Sequence, residues 1–169
     1  MRLKPEPSAA LVILAASVVF YASAFGADAE IGIPKAVPYA QGVQVSDAVK
    51  NECQLGEKVS EFLLHDANVK VSDKPNEGRY LDMAITEVFA SAGGAWSGPK
   101  WMTVTGTLME NGKKVASFRA KRFSTGGAFG GFKGTCSIVG RCTKTIAEDI
   151  AGWLKNPVDG AQLGDAKSG

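Results

Sequence analysis

The side chains best able to do chemistry in this chain are basic and aromatic residues around one predicted hairpin. Residues 112–147 contain eight basic residues and no acidic one, whereas residues 28–82 contain ten acidic and six basic residues. Clustered ammonium and guanidinium groups bind phosphate, sulfate or carboxylate, and a nearby indole can stack on a sugar ring or on a cation. The candidate anion-binding residues are Trp101, Lys113, Lys114, Arg119, Lys121 and Lys133. A solvated sheet face that confers solubility is the other interpretation.

Signatures of catalysis are missing from the sequence. His65 is the single histidine, so most catalytic triads and His-rich metal sites are hard to build. The glycine-rich run 124–135 lacks the Gly-Lys-Ser/Thr of a phosphate-binding loop. Its glycines at 126–134 indicate a flexible loop, or else an oligomer or membrane contact. We expect no catalytic residue, metal or cofactor. A small hydrolase with an unrecognised site is the alternative, which loss of turnover in His65→Ala would support.

The three cysteines indicate one disulfide and one leftover thiol, because the count is odd and the chain is expected to be exported. Cys136 and Cys142 could close a small local loop. Cys53 could instead bridge to either of them, which chain entropy makes the more stabilising choice. A helix across 136–142 would carry the two later cysteines to different faces and forbid the local bridge.

Residues 1–24 have the pattern of a signal peptide. Basic residues at positions 2 and 4 precede sixteen uncharged residues, which is short of the ~20 that a membrane-spanning helix needs. Cleavage is expected after Ala24, and a second possible cut follows Ala29. An uncleaved membrane anchor is the alternative. We therefore expect a periplasmic or secreted protein with no transmembrane segment after cleavage, and a net charge of +2 argues against nucleic acid as a partner.

The exported part is expected to form one α+β domain over 46–154. A proline- and glycine-containing lead-in, 25–45, precedes it, with a possible edge strand at Lys35–Tyr39. Apolar spacing predicts a helix from Ser46, the N-cap, to Asp66, in which Gly56 marks close packing. Short strands are expected next, at Val69–Val71 and then at Leu81–Phe89, where apolar and polar residues alternate.

Residues 101–123 carry the clearest local pattern, a β-hairpin around Asn111-Gly112. A two-residue turn would pair apolar positions with polar ones, such as Val104 with Arg119. A three-residue loop over 110–112 pairs Val104 with Phe118, which buries one face and leaves the other in water. We therefore predict the longer loop.

That register also predicts which residues lie on the solvent-exposed face of the hairpin, called the wet face below. Arg119 and Lys121 share it with Thr103, and Trp101 lies opposite Lys121. Gly112 is expected to adopt the left-handed conformation. The face would present two cations beside an indole, which is the arrangement proposed above for an anionic ligand.

A second helix is expected to end near Leu154, before Pro157. Its start is either Thr145, which could form a capping box with Glu148, or a position nearer Ser137. Residues 155–169 are predicted to be a flexible tail. The order of elements predicts an antiparallel-rich sheet of about four strands with two helices packed on one face.

The runs Leu81–Phe89, Met102–Lys114 and Thr145–Leu154, with the glycine-rich linker between the last two, resemble small exported bacterial envelope proteins of unknown function, similar in pattern to envelope lipoprotein accessory domains. The resemblance covers residues 35–154 and implies a non-catalytic binding or assembly role with a protein partner in the envelope. This chain lacks the lipid-anchor cysteine of the lipoprotein members. Binding of an anionic glycolipid or polysaccharide by the hairpin face 101–123 is the alternative function.

Overall fold

The computed structural model describes residues 30–90, 99–125 and 134–168. The predicted leader, the loop at 91–98 and most of the glycine-rich stretch, with Lys133, lie outside the described residues. The helices are α1 (Asp47–Cys53), α2 (Leu55–Asp66), α3 (Thr135–Leu154) and a final 3₁₀ turn (Asp165–Ser168). The strands are β1 (Ile31–Ile33), β2 (Val69–Val71), β3 (Arg79–Phe89), β4 (Lys100–Glu110), β5 (Lys113–Ser124) and β6 (Ala161–Gly164).

The strands form one mixed sheet in the order β2-β1-β3-β4-β5-β6. The long central strands β3, β4 and β5 are antiparallel, and the short outer strands join them by parallel pairing. The predicted α+β class is confirmed, but the sheet has six strands rather than about four. The additional strands are only three or four residues long, which is too short for an alternating pattern to be recognised.

The β4–β5 turn is shorter than predicted. Glu110 pairs with Lys113, so the turn contains only Asn111 and Gly112. Both have positive φ, 49° and 76° respectively, as a tight hairpin turn of the Asn-Gly type requires. The left-handed Gly112 is confirmed, whereas the three-residue loop is wrong.

A β-bulge in β5 keeps apolar residues of β4 and β5 opposite each other, which the two-residue turn alone would prevent. The register shifts after Leu108, and Val115 is left without an opposite residue. The shift moves each partner by two positions from the prediction, so the apolar and polar faces stay as predicted. The corrected pairs are Thr103 with Lys121 (not Arg119), Val104 with Ala120 (not Phe118) and Trp101 with Phe123 (not Lys121).

The lead-in contributes its strand earlier than expected, at Ile31–Ile33 instead of Lys35–Tyr39. Tyr39 forms only an isolated parallel bridge with Ile85 of β3. The two prolines at 34 and 38 interrupt regular pairing between these points, since proline has no N–H for the ladder.

Ser46 caps the first helix as predicted, because its hydroxyl accepts a hydrogen bond from the Val49 N–H at 3.3 Å. The helix is broken into α1 and α2 at Gln54, whose φ is 50°. Gly56 confirms the predicted close packing, since a Cβ there would collide with the Val37 carbonyl oxygen.

Helix α3 begins at Thr135, earlier than either predicted start. Thr145 is inside the helix, where its hydroxyl donates to the Arg141 carbonyl at 2.9 Å, so the predicted capping box does not form. The early start carries Cys136 to the end of α1, where it forms a disulfide with Cys53. Cys142, further along α3, is the free and buried thiol.

The C-terminal segment is ordered, contrary to the predicted flexible tail. Strand β6 pairs with β5, and Ala166 is buried. The Trp153 indole donates to the Val158 carbonyl at 3.0 Å, and Asp165 accepts the Phe123 N–H at 2.9 Å. The Asp165–Phe123 bond and the pairing of β6 with β5 connect residues about 40 positions apart, so no local pattern reveals them.

The core lies on one face of the central strands. Leu81, Ile85, Val104 and Leu108 on that face are fully buried. Helix α3 covers it with Trp153 edge-on to Phe118 at 5.0 Å between ring centroids, and α2 packs against α3. Across the described ranges, no helix is long and apolar enough to span a membrane. We call the opposite face of β3, β4 and β5 the open face.

Candidate binding site on the open face

The open face brings together most of the predicted wet-face residues. Thr103 is opposite both Glu87 on β3 and Lys121 on β5, and Thr105 is opposite Arg119. The prediction that Arg119 and Lys121 share a face with the threonines of β4 is therefore confirmed. Glu87 was not anticipated, because a bulge between Ile85 and Glu87 determines which β3 residues reach this face.

Glu87 is the centre of a charge network. Its carboxylate accepts hydrogen bonds from the Arg119 Nη2 at 2.9 Å and the Thr103 hydroxyl at 3.0 Å, and the Lys121 Nζ lies 3.5 Å away. Burial alone would raise the pKa of Glu87, but the Thr103 hydrogen bond and the two cations outweigh burial and lower it. The two central candidate anion-binding residues are thus already paired with an acid.

An aromatic cluster adjoins this network at one end of the open face. Trp101 stacks on Phe89, with ring centroids 4.0 Å apart, and meets Phe123 at 5.7 Å. Phe89 and Phe123 are 41% and 48% exposed. The Lys121 Nζ lies 5.2 Å from the Phe123 centroid and 5.9 Å from that of Trp101, within cation–π range.

The sequence prediction included Trp101 but missed the two phenylalanines of the aromatic cluster. Their positions depend on the register of β3 and β5 against β4. Phe89 pairs with Trp101 because of the β3 bulge, and Phe123 pairs with Trp101 because of the β5 bulge. The alternation of residues within each strand was the available sequence signal for these positions. That alternation gives the observed pairs only when both bulges are located.

Two further candidate cations, Lys113 and Lys114, are not part of this site. Lys113 and Lys114 lie beside the hairpin turn, at the other end of the strands from Trp101. Lys114 forms an ion pair with Asp159 at 2.8 Å. Hydrogen bonds from Lys114 and Ser117 lower the pKa of Asp159. The predicted basic surface is therefore divided into two separate regions.

A groove of about 580 Å³ opens beside the aromatic cluster. One wall is the segment Ala40–Gln44, and the other is the end of β3, Thr86–Phe89, with Trp101. Its lining among the described residues contains one charged side chain, Glu87, so the groove is mostly uncharged.

His65 lies away from the open face, at the end of α2. Its ring is largely exposed, and Nδ1 is 2.7 Å from the Asp66 carboxylate. A second cavity of about 350 Å³ adjoins this pair and is also lined by Arg79 and Lys155. The described residues that line this cavity include no hydroxyl or thiol side chain to which His65 could be paired.

The free thiol of Cys142 is a second group that could in principle act as a nucleophile. Burial raises its pKa to about 11, with the Asp165 charge acting in the same direction. The sulfur lies 3.9 Å from the Lys100 carbonyl oxygen, inside the core. A thiol held neutral in the core is a packing residue. In the described part of the chain, no group of three or more His, Cys, Asp or Glu residues is placed to hold a metal ion.

Comparison with known proteins gives no family. No family model and no curated protein matches the chain. Two solved structures of the PelC dodecamer from Paraburkholderia phytofirmans are similar. One is 12% identical with a TM-score of 0.44. The other, a single-residue variant, is 15% identical with a TM-score of 0.42. Each alignment covers 70% of this chain and 86% of the other. TM-scores this low define neither the fold nor the function of this chain.

Proposed function

We propose that this chain is an exported, non-catalytic protein of a bacterial envelope that acts by binding a partner at the aromatic end of its open face. The aromatic cluster Phe89, Trp101 and Phe123 carries this proposal. Exposed, contiguous apolar surface on a soluble domain marks interaction sites more often than structural need. The helix-covered face already contains the core, so folding does not require these rings to be exposed.

Export is supported by the Cys53–Cys136 disulfide, since such bonds persist in oxidising compartments. The non-catalytic role is supported by the charge network. A general acid or base near neutral pH needs a carboxyl whose pKa is raised, whereas the pKa of Glu87 is lowered. A carboxylate whose pKa is lowered by two neighbouring cations is suited to orienting side chains more than to exchanging protons near neutral pH.

Site-specific photo-crosslinking in cells that export the protein tests this proposal. A photoreactive phenylalanine analogue replaces Phe89 or Phe123. The control carries it at Val158, which is 58% exposed and adjoins Asp159, the partner of Lys114 at the other end of the strands. We expect adducts of defined mass from the two cluster positions and none from position 158. Equal labelling at all three positions, or none at any, would contradict a binding role for this face.

An anionic glycolipid or polysaccharide is the second candidate ligand. A pyranose ring could stack on Trp101 while an acidic group replaces Glu87 as a partner of Arg119 or Lys121. Two cations against one carboxylate leave a local excess of one positive charge. This observation favours a sparsely charged glycan over a polyanion.

The test compares acidic and neutral polysaccharides over a salt series. Binding should prefer the acidic polymer, weaken with salt, and fall in Trp101→Ala and in Arg119→Ala/Lys121→Ala. The matched control is Lys113→Ala/Lys114→Ala, which removes the same number of charges at the distant turn. If the control variant loses as much affinity, binding is a general charge effect and not a property of the open face.

A further inference from the structure

The edge of β3 is only partly occupied by the residues that the structure describes. Strand β1 pairs with β3 at Tyr80, and Tyr39 bridges to Ile85 further along. At Ile85 both backbone groups are used, because its N–H donates to the Pro38 carbonyl and its carbonyl accepts the Ala40 N–H, each at 2.8 Å. The lead-in segment therefore acts as a strand along this edge.

The lead-in segment leaves the edge immediately afterwards. Gly42, with φ of 83°, turns the chain away from β3. Within the described residues, no hydrogen bond reaches β3 from this side beyond Ile85. The end of β3 and the departing segment form the two walls of the 580 Å³ groove.

Backbone alternation places a free donor and acceptor in this groove. Ile85 directs its groups to the edge, and the bulge that follows sets both Thr86 and Glu87 against Thr103 on β4. Val88 is next, and its position opposite Met102 turns its N–H and carbonyl back to the edge. Phe89, opposite Trp101, turns to β4 again.

We propose that an extended polypeptide segment of a partner protein adds to this edge as a further strand, pairing with Val88. The groove exposes the N–H and the carbonyl of Val88. A peptide strand lying ~4.8 Å from β3 would bond to both groups, as neighbouring strands do in a sheet, whereas a sugar ring has no backbone with this spacing. The segment carries an apolar or aromatic side chain where it passes Phe89, and no acidic residue beside Glu87.

This inference rests on the proposed binding role but names a protein partner and uses the edge of β3, not the open face. The two can fail separately, because photo-crosslinking at the aromatic cluster does not require the Val88 backbone. Glycan binding depends on Trp101, Arg119 and Lys121, and it does not require the Val88 backbone. Strand addition requires the Val88 backbone and does not require Arg119.

Amide hydrogen exchange of the full exported protein tests the premise. The Val88 amide should exchange much faster than the amides of Glu87 and Phe89, which bond to β4. Equal protection of all three amides in the protein alone would overturn the proposal, because the edge would then have no free donor.

Peptide binding to the edge is tested with a panel of peptides of about eight residues. Each peptide alternates β-branched and polar residues and has lysines at both ends, and the central residue is Phe, Lys or Glu. We expect the Phe peptide to bind most tightly, the Glu peptide least, and bound peptide to protect the Val88 amide. N-methylation of the peptide nitrogen that faces β3 should weaken binding about three- to tenfold, and methylation of its neighbour should not.

Two variants block the edge in different ways. Val88→Pro removes the N–H, with Val88→Thr as its control. Gln44→Trp fills the groove from the opposite wall, with Asn51→Trp on the exposed side of α1 as its control. Both blocking variants should abolish peptide binding while the controls retain it. If no peptide binds at millimolar concentration, or if Gln44→Trp binds as well as the wild type, strand addition at this edge is wrong.

Discussion

The two faces of the central sheet are built from alternating residues of the same three strands, yet they differ in what stabilises them. On the helix-covered face, Val104, Leu108 and Ala120 are fully buried in the core. On the open face, Thr103, Arg119 and Lys121 form hydrogen bonds and ion pairs around Glu87. Apolar burial therefore stabilises one face, whereas hydrogen bonds and ion pairs hold the other.

Each face contains an arginine–carboxylate pair, which makes the comparison measurable. Arg122 on the helix-covered face binds Asp149 of α3 by two hydrogen bonds of 2.7 Å. Arg119 on the open face reaches Glu87 by one bond of 2.9 Å. The former pair connects β5 to α3, whereas the latter connects β5 to β3 across the intervening strand β4.

The largest expected effect concerns the disulfide on the helix-covered side. Cys53→Ser removes a link between residues 83 positions apart. Because such a link restricts the unfolded chain, its loss should lower the free energy of unfolding by about 4–5 kcal/mol. Urea denaturation measures this, and the wild type under reducing conditions should behave like the variant. An unchanged midpoint would show that the bond contributes little to stability.

A matched pair of substitutions on β4 compares the two faces directly. A Cβ on Gly106 would lie 2.5 Å from the Phe118 ring and 3.2 Å from Met83. Gly106→Ala should therefore cost about 1–3 kcal/mol. Thr107→Ala, one residue along on the open face, should stay within about 0.5 kcal/mol. Thermal and urea unfolding of both variants checks this. Equal costs would mean that the open face is packed as tightly as the core.

Double-mutant cycles separate the two arginine pairs. The cycle of Arg122→Ala with Asp149→Ala should give a coupling of about 1.5–3 kcal/mol, since the pair is bidentate and mostly buried. The cycle of Arg119→Ala with Glu87→Ala should give about 0–1 kcal/mol because water screens it. A larger coupling on the open face would show that its network stabilises the fold.

The smallest effect is a pH dependence of the open face. The lowered pKa of Glu87 means that the folded state binds this proton less tightly than the unfolded state. The stabilisation is fully present above the ordinary value of 4.5 and is lost as pH falls through the lower folded value. The difference in unfolding free energy between the wild type and Glu87→Gln should therefore shrink toward acid. Glu110→Gln at the turn serves as the control, and a difference independent of pH would contradict the network.

Local sequence patterns were sufficient where the determinant lies within a few residues. The Ser46 cap, the close packing at Gly56 and the left-handed Gly112 follow from side-chain size and backbone freedom at single positions. The strand alternation placed Arg119 and Lys121 on one face, as observed. These features need no knowledge of distant partners.

The composition of the candidate site was less predictable. The Asn-Gly pair favoured the short turn, but only the bulge at Val115 made that turn compatible with a buried face. Without the bulges, neither Glu87 nor the pairing of Trp101 with Phe89 and Phe123 could be placed. The ordered strand β6 was missed for a related reason, since its pairing with β5 joins segments about 40 residues apart.

The sequence alone determined the alternation of the strands, the class of the fold and the separation of acidic and basic segments, because these depend on residue type and near-neighbour spacing. The tertiary structure decided which charges meet, which cysteines pair and where, among the described residues, the edge of β3 has no partner. Those outcomes depend on register and on contacts between distant segments. A one-residue bulge changes them while leaving the local pattern unaltered.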